Sequence, residues 1–151
     1  VVNIGLSGCP AKQVCPIRSP KEREPQLLGN SLTITLDGAG GTAKVLPLIN
    51  QDSYSSEYFL NDALYTLRAK VRHSRDTVKA GSQAYERHTV HFERYTKPTV
   101  DSPSGSSFQI TFIIRNDPNG SRTDIVDLSE AMSFYMVKAG NVADKLLNWE
   151  S

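Results

Sequence analysis

The residues with the clearest chemical potential are cations set at every second position. Arg68, Lys70 and Arg72 alternate with Leu67, Ala69 and Val71, and Arg87, Thr89 and His91 alternate with His88, Val90 and Phe92. Side chains two apart on a strand share a face and lie about 6.7 Å apart, a spacing that suits successive phosphates. Gln109 and Thr111 continue the pattern on a third stretch, opposite Phe108, Ile110 and Phe112. Tyr85 and Tyr95 flank the cations as platforms on which bases can stack. The chemistry indicated is the binding of a polyanion.

Other reactive residues point elsewhere or nowhere. His88 and His91 are three apart on a strand, hence on opposite faces, which argues against joint metal ligation. His88 is expected to be packed or at a rim, and His91 on the polar face. Cys9 and Cys15 are too few for a zinc framework, and there is no CxxC. Each precedes a proline, and they read as free thiols or as an oxidation-dependent cross-link. Asp117, Asn119 and Asp124 offer oxygen ligands for calcium, shared across a subunit boundary. The alternative for those three is turn formation and helix capping. Asp37-Gly-Ala-Gly-Gly41 lacks the Gly-Lys-Ser/Thr ending of a phosphate loop and precedes a strand. Gly105-Ser106-Ser107 is not a nucleophile elbow, and no base is cued for it. A hydrolase on a β scaffold therefore has no support, and no cofactor is required.

The charge balance hides a segregation. The 17 Lys and Arg nearly cancel the 16 Asp and Glu, which excludes a polycationic tail protein or an acidic solvating chain. Yet Arg68 to Lys97 holds eight Lys or Arg against Asp76, Glu86 and Glu93, a balance of +5, and contains all three histidines. Thr123 to the end reverses to −3. Such asymmetry fits a basic surface for a polyanion held apart from an acidic element, or two ordinary solvated faces. No run approaches 18 apolar residues and no apolar signal core opens the chain, so neither a transmembrane helix nor a membrane partner is expected.

The elements that must position these residues follow from periodicity. Residues 1–27 carry Pro10, Pro16, Pro20 and Pro25 and little periodicity, and read as an arm that cannot build a core. Residues 28–151 read as the domain. A hairpin over 32–49 turns at Asp37–Gly41. Strands follow over 54–116: Ser55–Leu60, Tyr65–Ser74, Gln83–Tyr95 and Phe108–Asn116. The spacing leaves no room for βαβ units, so the sheet is antiparallel. Helices occupy 124–149, the first capped by Thr123 or Asp124 with Ile125, Leu128, Met132 and Tyr135 along one stripe, the second marked by Val142, Leu146 and Trp149. The fold class is α+β. Two short helices are scant cover for a broad apolar face, which predicts a homodimer whose chains exchange helices. The competing arrangement is a monomer whose helices fold back over their own sheet.

Several motifs carry a family likeness. Leu32-Thr-Ile-Thr-Leu-Asp-Gly-Ala-Gly-Gly-Thr-Ala-Lys-Val-Leu46, Ile49-Asn-Gln-Asp52, Ser56-Glu-Tyr58, Arg68-Ala-Lys-Val-Arg-His73, Tyr85-Glu-Arg-His88 and Leu128-Ser-Glu-Ala-Met-Ser-Phe-Tyr135 resemble coat proteins of single-stranded RNA bacteriophages of levivirus type, nearest the Caulobacter-infecting branch. The resemblance spans residues 28–151 in order. It implies a hairpin, a sheet facing the capsid interior, and two helices interlocked with those of a dimer partner. It further implies an icosahedral shell, usually T=3, assembled in the host cytoplasm around genomic RNA. An RNA stem-loop would be bound in translational repression. The inward positions would be Arg68, Lys70, Arg72, Arg87, Thr89, His91, Gln109 and Thr111. Calcium between subunits is implied for some members, without assigning ligands. Residues 1–26 have no counterpart in that family and are expected to drape over a neighbouring subunit. Against this stands a non-assembling module for single-stranded nucleic acid.

Overall fold

The structure, a computed structural model, describes residues 28–38, 40–76, 81–138 and 142–149. The arm with Cys9 and Cys15 lies outside the described residues, as do the expectations placed on it. Six strands come first: β1 (Ser31–Leu36), β2 (Thr42–Gln51), β3 (Ser55–Asn61), β4 (Tyr65–Arg75), β5 (Glu86–Thr96) and β6 (Ser106–Asn116). Two helices close the chain, α1 (Arg122–Lys138) and α2 (Val142–Leu147). The strands form one meander in the order β1-β2-β3-β4-β5-β6, every neighbour antiparallel. This is the α+β arrangement read from the alternation.

The β1–β2 turn depends on glycine for space as well as conformation. Asp37, Gly38 and Gly40 take left-handed φ values of 66°, 72° and 88°. A Cβ on Gly41 would stand 1.7 Å from the Leu36 carbonyl oxygen, so no side chain fits there. Past the turn, the register shifts between Leu48 and Asn50, and the hairpin leaves the plane of the main sheet. A bulge of this kind bends its strand and tightens the local twist.

The bend lets the hairpin cover half of the apolar face. Leu46, Tyr58, Leu67 and Ala69 are buried, with Tyr65 at the margin, and Leu32, Ile34, Leu36, Leu48 and Leu60 pack around them. The Tyr58 hydroxyl donates to the Gly29 carbonyl, 3.2 Å, and Leu48 N–H donates to the Asn30 carbonyl, 2.9 Å, tying down the start of β1. Lys44, inward on β2, reaches Asp62 at 3.0 Å and lies over the Tyr65 ring. Hydrogen bonding to Tyr65, then to Asp62, holds the Lys44 ammonium above its ordinary pKa, and the Lys44 hydrogen bond holds Asp62 below the usual carboxylate range.

The other half of that face, on β5 and β6, has no such cover. Phe108 is 60% exposed and Ile110 72%. The helices do not fold back over it. α1 meets the sheet at the end of β6, where Ile114 and Val126, Ser129, Ser133 and Phe134 line one shallow groove. Leu128, Met132 and Tyr135, the expected stripe, are exposed, and Ile125 is half-buried. Val142 anchors α2 as a buried residue.

Two helix expectations need correction. The cap of α1 is Ser121, whose Oγ accepts the Asp124 N–H at 3.3 Å, and not Thr123 or Asp124. A hydroxyl one residue before the first turn satisfies an otherwise orphaned donor, and Asp124 then sits in the turn where negative charge meets the positive end of the helix. Trp149 is not on α2. The helix ends at Leu147, and Trp149 follows in left-handed conformation, φ 63°, almost wholly exposed.

Candidate nucleic-acid interface

Pairing registers turn the strand alternation into rows across the opposite face. Phe59, Arg68, Glu93 and Gln109 form one row, and Glu57, Lys70, His91 and Thr111 the next. Ser55, Arg72, Thr89 and Ile113 form the third, and Ser74, Arg87 and Arg115 the fourth. All eight inward positions named from the sequence therefore lie on one face, away from buried Leu67, Ala69 and Val71. Tyr85 precedes β5 with the same parity, and the Arg115 guanidinium lies 5.8 Å from its ring centroid. Tyr95 shares that parity. A Cβ on Gly105 would come within 2.9 Å of the Tyr95 hydroxyl and 2.6 Å of the Thr96 carbonyl, so glycine, at φ 65°, lets the β6 entry lie close against this end.

The face is less cationic than its basic residues suggest, because carboxylates are interleaved. Glu57 takes Arg68 at 3.0 Å and Lys70 at 3.6 Å through the same oxygen. Asp76 takes Arg87 at 3.8 Å and also binds Arg115. Among the described residues Arg72 has no carboxylate within ion-pair distance, although its charge helps lower the Asp52 pKa. The main causes of that lowering are the Ser55 hydroxyl, at 2.7 Å, and the Tyr54 N–H. His91 and Thr111 share a hydrogen bond of 2.8 Å. Such surface pairs are weak, so an arriving phosphate can replace a carboxylate at little cost.

Sequence reasoning missed three parts of this arrangement. Glu57 and Asp76 need the β3 register and the β4–β5 connection to be placed, and neither is legible in local pattern. Arg115, which is not among the site residues named from the sequence, shares the parity of Gln109 and Thr111 and stands beside Arg87 and Tyr85. Phe59 and Ile113 interrupt the polar surface, the former beneath the Arg68 guanidinium at 5.4 Å.

The residues named for calcium have local roles here. The Asp117 carboxylate accepts the Asn119 N–H at 2.7 Å and is bonded by Gln83, while the Asp117 carbonyl accepts Gly120 N–H at 3.0 Å. Among the described residues no three His, Cys, Asp or Glu side chains converge as metal ligands. No helix among them is long and apolar enough to cross a membrane.

The decisive comparison concerns the strands. Residues 29–117, more than half of the chain and the whole of the sheet, match the family model for the coat protein of phage phiCb5. The chain belongs to the phiCb5 coat protein family. That family is structural, so the chain is a phage coat protein and not an enzyme. Solved structures with the same fold include the bacteriophage EMS014 coat protein, with a TM-score of 0.56 at 15% identity, covering 74% of this chain and 78% of that one. The virus-like particle of Beihai levi-like virus 21 gives 0.58 at 10% identity, over 80% and 94%. The virus-like particle of bacteriophage ESE058 gives 0.53 at 11%, over 75% and 91%. No curated protein matches. These structural neighbours share the six-stranded antiparallel sheet followed by two helices.

Proposed function

We propose that this coat protein dimerises through the bare apolar half-face, assembles into an icosahedral shell, and packages single-stranded RNA against the Arg68–Lys70–Arg72 face. One observation carries the reading: a sheet whose cationic side is opposite an apolar side left half uncovered, with a stripe of exposed Leu128, Met132 and Tyr135 on the helix that follows. An exposed apolar area of this extent normally marks association, and a twofold arrangement lets each chain's helices close the partner's sheet. The virus-like particles formed by fold relatives support assembly. A T=3 shell, repression through an RNA stem-loop and calcium at subunit junctions rest on the family likeness. Within one chain Asp117, Asn119 and Asp124 serve the turn and the start of α1, so calcium would need them from more than one subunit, and a lower particle melting temperature in EGTA is the expected sign.

Size-exclusion chromatography with electron microscopy tests the main reading. Megadalton particles whose absorbance shows packaged RNA are the expected result. A small dimer that binds RNA without assembling would select the non-assembling module. Non-reducing electrophoresis of particles tests the cross-link at Cys9 or Cys15, which monomer alone would remove.

A further inference from the structure

The sequence pairs His88 with His91 and dismisses the pair, but the fold pairs His88 with His73. The two are register partners on β4 and β5, on the apolar side of the sheet. Their Nδ1 atoms stand 2.8 Å apart, with ring centroids 5.0 Å apart. The next pair inward is Val71 with Val90, and the next outward is Arg75 with Glu86, held at 3.3 Å. The histidines therefore sit at the rim where the apolar face meets an ion pair that is neutral as a unit.

We propose that His73 and His88 form a two-imidazole site for a borderline divalent transition ion, of which nickel(II) is the probe. Imidazole nitrogen is a preferred ligand for nickel, copper and zinc. With metal–nitrogen bonds of about 2.05 Å, two ligands at right angles stand about 2.9 Å apart, and two at a tetrahedral angle about 3.3 Å. The observed separation is that of a cis pair on a square-planar or octahedral ion. As the structure stands, one ring must donate its Nδ1 hydrogen to the other. On binding, that hydrogen moves to Nε2 of its own ring, both Nδ1 lone pairs face the metal, and no net proton is released from the neutral pair.

Burial first, and then the charge of His88, hold the His73 pKa below the ordinary imidazole value. The register neighbours on the same face are Arg75 from β4 and Glu86 from β5, with uncharged Ile114 and Asn116 from β6, and Asp52 and Arg72 line the same cavity as the two rings. The backbone N–H of His73 donates to the Tyr54 carbonyl at 2.7 Å, which fixes the strand under the ring. Because no third His, Cys, Asp or Glu joins them among the described residues, water completes the coordination.

The test is isothermal titration of the full chain with nickel(II) at pH 7.5, together with nickel X-ray absorption on the same sample. One ion per chain is expected, with affinity falling at least roughly tenfold in His73→Asn and in His88→Asn and unchanged in His91→Asn. X-ray absorption of the wild type needs no variant and should show imidazole rings in the coordination shell, without sulfur. Absence of binding would overturn the site. So would binding that survives both His73→Asn and His88→Asn, or a shell dominated by sulfur, which would assign the ion to Cys9 and Cys15.

Discussion

Replacing Lys70 and Arg72 together by Ala should weaken RNA binding without disturbing the fold, and the interleaved carboxylates set its size. Lys70 holds Glu57 only at 3.6 Å, while Arg68 keeps the same oxygen at 3.0 Å, and Arg72 has no such partner among the described residues. Both removed cations are thus open to phosphate. Each phosphate contact on single-stranded nucleic acid contributes about 0.7 to the slope of log affinity against log salt. Two contacts then amount to a slope change of about 1.4 per chain, and at 0.15 M salt to a loss of roughly fourteenfold. Glu57→Gln should act in the opposite direction, releasing one cation for about fourfold tighter binding and a steeper slope. Fluorescence anisotropy of a labelled RNA oligonucleotide between 50 and 300 mM salt, on the order of the range over which such slopes are read, measures all three proteins. An unchanged slope in a natively folded double variant refutes the assignment of this face to RNA. Loss of fold would mean that the strand faces are reversed, although the Lys70 side chain is 47% exposed.

Three further outcomes are expected. Ile110→Asp should leave the hairpin core intact by circular dichroism and abolish association by size exclusion. Burial of one such side chain is worth roughly 1.5–3 kcal/mol, and it occurs twice in a twofold dimer, so the dissociation constant should rise by roughly two to four orders of magnitude. Gly41→Ala should cost more than about 3 kcal/mol in urea unfolding, because its Cβ would collide with the Leu36 carbonyl. The third concerns pH. Since the folded His73 pKa lies below the unfolded value of about 6.5, the unfolded chain binds the proton more readily. Stability should be whole above that value, decline as pH falls towards the folded pKa, and level off beneath it. His73→Asn should flatten this part of the curve of urea midpoint against pH.

Much of this architecture is legible in local pattern, and the failures have physical causes. β4, β5 and β6 alternate with period two because one side of each strand is apolar, so Arg68, Lys70, Arg72 and Gln109 could be assigned a face from sequence alone. Ends are harder. Ser121 competes with Thr123 and Asp124 as a cap, and only the hydrogen bond to Asp124 N–H decides. Gln83 lies before β5 because the ladder opens at Glu86 paired with Arg75. What local pattern cannot hold is contact between distant segments. The hairpin's descent onto β3 and β4, the hold of Glu57 and Asp76 on their arginines, and the meeting of His73 with His88 each depend on register across a turn of unknown length.

The division of one sheet side into a roofed half and a bare half has a consequence for the life of the chain. A newly made copy finishes only the β1–β4 portion of its interior by itself, and in the dimer proposed above a second copy closes the remaining portion. Its resistance to proteolysis should accordingly grow with its own concentration, so that the cell sees a durable protein only once enough copies exist to make a container.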